Sequence, residues 1–264
     1  MSTTMSRSES DTVFVLVPGS FSPPSFYDKV TPLLNARGYA TYSTALKSVN
    51  NAEGPVVTMY EDADHIHKTI AGLADQGKWV ILAVNSYGGI PGTQAVQGLS
   101  KAERAASGKP GALVGIVYLS SFIAEEGDCV NRIMAGRMPA STQTPTDYLS
   151  LDPRNDAEYI FSHIDHAEKA EYANRLEKHS ARTFNDPLTY PGYRFVPATY
   201  LICTDDNVIP KELQKSMIDA ANLKGAAIET RELHSDHCPM ISHPVEVVEI
   251  LLEAAERGRE LVGV

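Results

Sequence analysis

Four uninterrupted apolar runs constrain this chain more than any other feature. They are TVFVLV at Thr12–Val17, WVILAV at Trp79–Val84, LVGIVYL at Leu113–Leu119 and ATYLIC at Ala198–Cys203. A strand with one wet face alternates polar and apolar residues, so runs this continuous need cover on both faces. Helix-like stretches separate them at Ser25–Ala36, Val57–Gln76, Gly89–Gly98, Lys211–Leu223 and Pro244–Arg257, with two further strands at Tyr39–Ala45 and Ala227–Leu233. This order predicts an α/β fold with a mostly parallel central sheet flanked by helices. The core is expected over residues 12–120 and 197–264. Between 121 and 196 the rhythm stops. That stretch is polar, rich in Pro, Met, Tyr and His, and has helical patches within Asp156–Ser180 but no convincing strand. It is too long for a plain loop and is expected to form a helical cap insertion. Residues 1–11, MSTTMSRSESD, are expected to be a disordered tail, without the apolar stretch of a signal peptide.

Composition narrows the function classes. The 264 residues carry 33 acidic and 23 basic side chains, a net charge of −10. That balance argues against nucleic acid or an anionic membrane as partner, because both demand clustered positive charge. Three scattered cysteines (Cys129, Cys203, Cys238) form no CxxC, which suggests neither a disulfide framework nor a zinc site. A reducing, cytoplasmic setting is expected.

The segment Val84-Asn85-Ser86-Tyr87-Gly88-Gly89 directly follows an apolar strand and precedes a helix. A serine on such a sharp turn projects its hydroxyl away from the sheet. Gly88 supplies the small residue two places downstream, whereas Val84 stands upstream where glycine is usual, so the motif is GxSxG-like. Its plain alternative is a serine N-cap at a strand–helix junction. A serine nucleophile needs a base, and the base an orienting carboxylate, in the chain order Ser, Asp or Glu, His. Strand Ala198–Cys203 runs into Thr204-Asp205-Asp206-Asn207, and strand Ala227–Leu233 into His234-Ser235-Asp236-His237-Cys238. Both candidates therefore sit at the carboxyl ends of neighbouring strands, where open α/β sheets bind ligands. Backbone amides of Ser20, after the first strand, and Tyr87, after the nucleophile, are the expected oxyanion-hole donors.

These stretches resemble the α/β-hydrolase superfamily and, within it, the methylesterase and hydroxynitrile lyase branch. VFVLVPGSF, VILAVNSYGG, CTDDNVIPKELQKSMI and HSDHCPMISHP carry the likeness. The resemblance selects Asp206 over Asp205, His237 over His234 and His243, and a cap from Ser121 onward. Three departures stand out. Pro18-Gly19 replaces the branch's His-Gly, Val84-Asn85 its Gly-His, and Cys238 follows the base where the lyases have lysine. The lyases also have a threonine where Gly19 stands. Without that threonine and lysine, the resemblance implies ester hydrolysis over cyanohydrin cleavage.

The reading is a serine hydrolase of small carboxylic esters or lactones, with Ser86, Asp206 and His237 as catalytic residues, no cofactor and no metal. A lyase, cyclase or C–C bond cleaving enzyme using the same triad, and a small-molecule receptor on this scaffold, are the alternatives. Phe21, Phe122, Met134 and Met138 are expected to line the substrate pocket, with Tyr159 and Phe161 either joining them or holding the cap together. His65 and His67 point to different helix faces, and His163, Asp165 and His166 read as cap residues rather than metal ligands. Cys238 reads as a small pocket-lining or core residue, and Glu246, Glu249, Glu253 and Glu256 as a solvated helix face. A homodimer is compatible with the sequence.

Overall fold

The computed structural model describes residues 11–52, 54–137 and 147–264. Six strands, β1 (Thr12–Val17), β2 (Ala40–Ser43), β3 (Trp79–Ser86), β4 (Ala112–Ser121), β7 (Ala198–Cys203) and β8 (Ile228–Leu233), form one sheet in the order β2-β1-β3-β4-β7-β8. Every pairing in it is parallel. The four apolar runs are the four central strands and are buried almost throughout. The outer strands β2 and β8 are partly exposed, as sheet edges are.

The two-residue side-chain period of a strand divides the core in two. Val13, Val15 and Val17 face one cluster with Ile66, Ile70 and Val84; Phe14 and Leu16 face the other with Val247, Val248 and Leu251. The first layer is covered by α2 (Met59–Asp75) and α3 (Gly89–Gln94), the second by α1 (Val30–Ala36) and the C-terminal helix α10 (Pro244–Val262). Thr58 starts α2 with a full capping box: its hydroxyl accepts from Glu61 N–H at 3.3 Å, while the Glu61 carboxylate accepts from Thr58 N–H at 2.9 Å. Ser100 and Glu103 repeat the device on α4 (Lys101–Ala106), a helix missing from the sequence reading because it is short and mostly exposed.

Several boundaries differ from expectation. The helix expected over Ser25–Ala36 is a 3-10 turn at Pro24–Tyr27 followed by α1. The helix from Gly89 stops at Gln94, where Val96 N–H bonds the Thr93 carbonyl and tightens the chain into a turn. The final helix runs on to Val262.

Between β4 and β7 lies a cap-like insertion with α5 (Val130–Met134), α6 (Asp156–Ile160) and α7 (His166–Ala173). It also holds an antiparallel two-strand pair, β5 (Tyr148–Leu149) with β6 (His179–Ser180), where no strand was expected. Two-residue strands carry no periodicity, so only the neighbouring chain reveals them. β6 is stitched to the core: Ser180 N–H donates to the Ser48 carbonyl at 2.8 Å, and Asn50 N–H to the Lys178 carbonyl at 3.2 Å. The tail residues 1–10 and Met138 lie outside the described residues. Among the described residues no helix is long and apolar enough to cross a membrane.

Candidate active site

Ser86 ends β3 with φ +52°, a left-handed conformation unusual for a residue with a side chain. The turn depends on close backbone approach. A Cβ on Gly88 would stand 2.5 Å from the Pro18 carbonyl oxygen and 2.9 Å from that of Asn85. One on Gly89 would stand 2.3 Å from the Phe122 carbonyl oxygen. Val84, in the place of the usual glycine, is accommodated from across the turn. A Cβ on Gly92 of α3 would lie 2.6 Å from Val84 Cγ1, so the missing side chain of Gly92 is the space Val84 fills.

The structure brings Ser86, His237 and Asp206 into one hydrogen-bonded chain. His237 Nε2 lies 2.9 Å from Ser86 Oγ, and His237 Nδ1 lies 2.7 Å from Asp206 Oδ2. All three side chains are buried. Asp206 Oδ1 accepts from the backbone N–H groups of Val208 (2.6 Å) and Ile209 (2.9 Å). Its Oδ2 also accepts from the Ser120 hydroxyl. The three other candidates are turned elsewhere: Asp205 pairs with His163 and with His234, and His243 bonds Ser242.

Two residues that sequence reasoning passed over support this chain. At the end of β4 the register slips: Asn85 pairs with Leu119 and Ser86 with Ser121, leaving Ser120 unpaired with φ +39°. A bulge of this kind re-aims one side chain, and here it turns Ser120 onto Asp206. Asn85 donates from Nδ2 to the carbonyls of Leu119 (2.8 Å) and His237 (3.1 Å), tying the His237 loop to the Ser86 turn.

The loop after β1 passes directly over the serine. A Cβ on Gly19 would be 2.8 Å from Ser86 Cβ and 3.4 Å from its Oγ, so the Gly19–Ser20 backbone can lie close to the hydroxyl. Behind it, the Tyr87 hydroxyl donates to Asp62 Oδ2 at 2.9 Å, and Ser48 bonds both carboxylate oxygens through N–H (3.0 Å) and Oγ (2.6 Å). Burial pushes the Asp62 carboxyl up to about 6. His179 of the cap faces the same cluster, 3.4 Å from Ser48 Oγ and 2.7 Å from Thr183 Oγ1, and burial pushes it down to about 3.

A cavity of about 340 Å³ opens onto Ser86 and His237. Phe21, Phe122, Met134 and Tyr159 line it, as does Cys238, whose thiol burial holds well above its ordinary range. Phe161 does not. It is fully buried against Phe26 and Tyr172. His65 and His67 bond Thr44 Oγ1 (3.0 Å) and the Ala95 carbonyl (2.9 Å), apart from one another. Asp165 caps α7 by accepting from Glu168 N–H. On α10, Glu249 pairs with Arg37 and Glu253 with Arg231, so that face is partly ion-paired.

The model of the alpha/beta hydrolase family matches residues 14–250. The chain belongs to this family. Among its relatives is a probable hydrolase, R7, of a Phoma species, 29% identical over 244 residues, which are 91% of this chain and 97% of that one. Methylesterase 7 of Arabidopsis thaliana is 23% identical over 92% of this chain and 96% of its own. Among solved structures, a pyrethroid hydrolase of Sphingobium faniae superposes with a TM-score of 0.73 at 20% identity, covering 94% of this chain and 99% of that one, which is a likeness of fold.

Proposed function

We propose that this member of the alpha/beta hydrolase family is a serine esterase of the methylesterase-like branch, acting on small carboxylic esters or lactones. The observation that carries the proposal is the Ser86–His237–Asp206 chain at the floor of an apolar cavity. Ser86 Oγ attacks the carbonyl as His237 Nε2 takes its proton. Asp206 holds the imidazole in the required tautomer and stabilises the imidazolium. The N–H groups of Ser20 and Tyr87 receive the oxyanion, a contribution of about 2.7–4 kcal/mol per donor in the barrier. His237 then protonates the leaving alkoxide, and a water it deprotonates releases the acid from Ser86. Phe21, Phe122, Met134 and Tyr159 favour an apolar acyl or alcohol group, with Arg137 and Asp156 as the charged side chains of the same lining.

The test is intact-mass labelling with a fluorophosphonate, followed by turnover of an ester and lactone panel in heavy-oxygen water. Wild type is expected to gain one phosphonyl group, and Ser86→Ala and His237→Ala none. Label from the water is expected in the product acid. A folded wild type that takes no label, or turnover retained in Ser86→Ala, overturns the reading. Product without the label would assign the site to lyase or cyclase chemistry.

A further inference from the structure

A second cluster of ligand-bearing side chains stands beside the triad and takes no part in it. His163 of the cap, Asp205 after β7 and His234 after β8 each offer one donor atom, and the three atoms lie within 4.8 Å of one another. His163 Nε2 is 3.2 Å from Asp205 Oδ2, and His234 Nδ1 is 3.2 Å from Asp205 Oδ1. Zinc bonds to nitrogen and oxygen of about 2.0–2.2 Å in a tetrahedron leave neighbouring donors roughly 3.3–3.5 Å apart. The His163 Nε2–Asp205 Oδ2 edge is already close to that spacing, and His234 Nδ1 stands equally near the other oxygen of the same carboxylate.

We propose that His163, Asp205 and His234 form a binding site for a divalent transition ion of the zinc type, which staples the cap to the core. Two imidazole nitrogens and one carboxylate oxygen suit Zn²⁺ and its neighbours, whereas Mg²⁺ and Ca²⁺ take oxygen ligands. The site is built in advance at its least exposed ligand. His163 follows the buried Phe161 and precedes the Asp165 cap of α7, and its own N–H donates to Asp236 Oδ2 at 3.0 Å. Asp236 is held in turn by Ser242 Oγ at 2.7 Å. Asp205 N–H donates to the Ser235 carbonyl at 3.1 Å, so the loops carrying the two core ligands are already joined. His234 is largely exposed and supplies the mobile ligand that closes on the ion. Water takes the remaining position. Asp205 adjoins Asp206, and His234 lies three residues before His237, so occupancy tethers the cap to the two loops that carry the acid and the base.

Tag-free protein titrated with Zn²⁺ against a chromophoric chelator tests this without any reference to ester turnover. One equivalent is expected to bind, with a rise in Tm that Mg²⁺ does not reproduce. His163→Ala and His234→Ala, each checked for folding by circular dichroism, are expected to weaken binding by about ten-fold or more, while His65→Ala retains it. Absence of Zn²⁺ binding by wild type, or binding as tight as wild type's in both ligand variants, overturns the site. Binding lost in His234→Ala but kept in His163→Ala overturns the staple.

Discussion

Asp206 has no acceptor capacity to spare. Its two oxygens take two backbone N–H groups, the Ser120 hydroxyl and His237 Nδ1. Ser120 reaches it only because the β4 bulge gives that residue a positive φ. Glycine tolerates this φ and lacks the hydroxyl, which separates strain from function. Ser120→Gly is therefore expected to lower kcat about ten-fold, the value of one hydrogen bond to a charged group, and to lower Tm less than Ser120→Ala, which loses the same hydroxyl and keeps the strained φ. Steady-state kinetics and a thermal melt on the same sample check it. The cluster under Tyr87 makes a different residue-level prediction. Asp62 has a folded value near 6 against an ordinary 3.8, so its contribution to stability falls as pH rises from about 4 to about 6. His179 has a folded value near 3 against 6.5, so its contribution falls as pH drops below about 6.5. Between pH 4 and 6 the two slopes oppose and cancel. Asp62→Asn removes one of them. Its unfolding free energy is expected to drop about 2 kcal/mol more than wild type's between pH 6 and 4.5, at about 1.4 kcal/mol per pH unit. Urea unfolding at the two pH values measures it.

At the scale of elements, the strand–turn–helix unit of β3 and α3 works by exchange of volume. The family's usual glycine before the serine is Val84 here, and Gly92 on the facing helix leaves room for its Cγ1. Gly92→Ala would place a methyl 2.6 Å from that carbon and is expected to cost about 1–3 kcal/mol by overpacking. Val84→Ala in the same chain should return most of that loss, giving a coupling of about 1 kcal/mol or more in a double-mutant cycle. Additive losses would show that the two side chains do not share the space. The same reasoning does not extend to Gly88, where the neighbours are carbonyl oxygens rather than a side chain that can shift.

For the molecule as a whole, the cap-like insertion is fastened by more than its own helices. Glu177 N–H donates to the Phe21 carbonyl at 2.8 Å, and Met59 N–H at the head of α2 donates to Asp186 Oδ2 at 2.9 Å. Phe161 sits edge-on to Phe26, with ring centroids 5.8 Å apart, and contributes to the core rather than to the cavity. Phe161→Ala is expected to cost about 3–5 kcal/mol of stability and to leave the acyl preference of the site unchanged. Met134→Ala, which enlarges the cavity, is expected to lower KM for bulky esters relative to small ones. Urea unfolding and KM across an acyl-length series distinguish the two.

The four apolar runs, the serine between strand and helix, and the two strand ends carrying Asp206 and His237 were all readable from local pattern. A parallel sheet buried on both faces leaves continuous hydrophobic strands, and reactive groups collect at their carboxyl ends whatever the remaining residues are. Pattern did not separate Asp206 from Asp205 or His237 from His234 and His243; resemblance did. Ser120, Asn85, Gly92 and the joining of His163 to Asp205 and His234 were decided by tertiary structure alone. Each depends on a register slip, a volume or a distance between segments remote in the chain, and local periodicity holds no record of those.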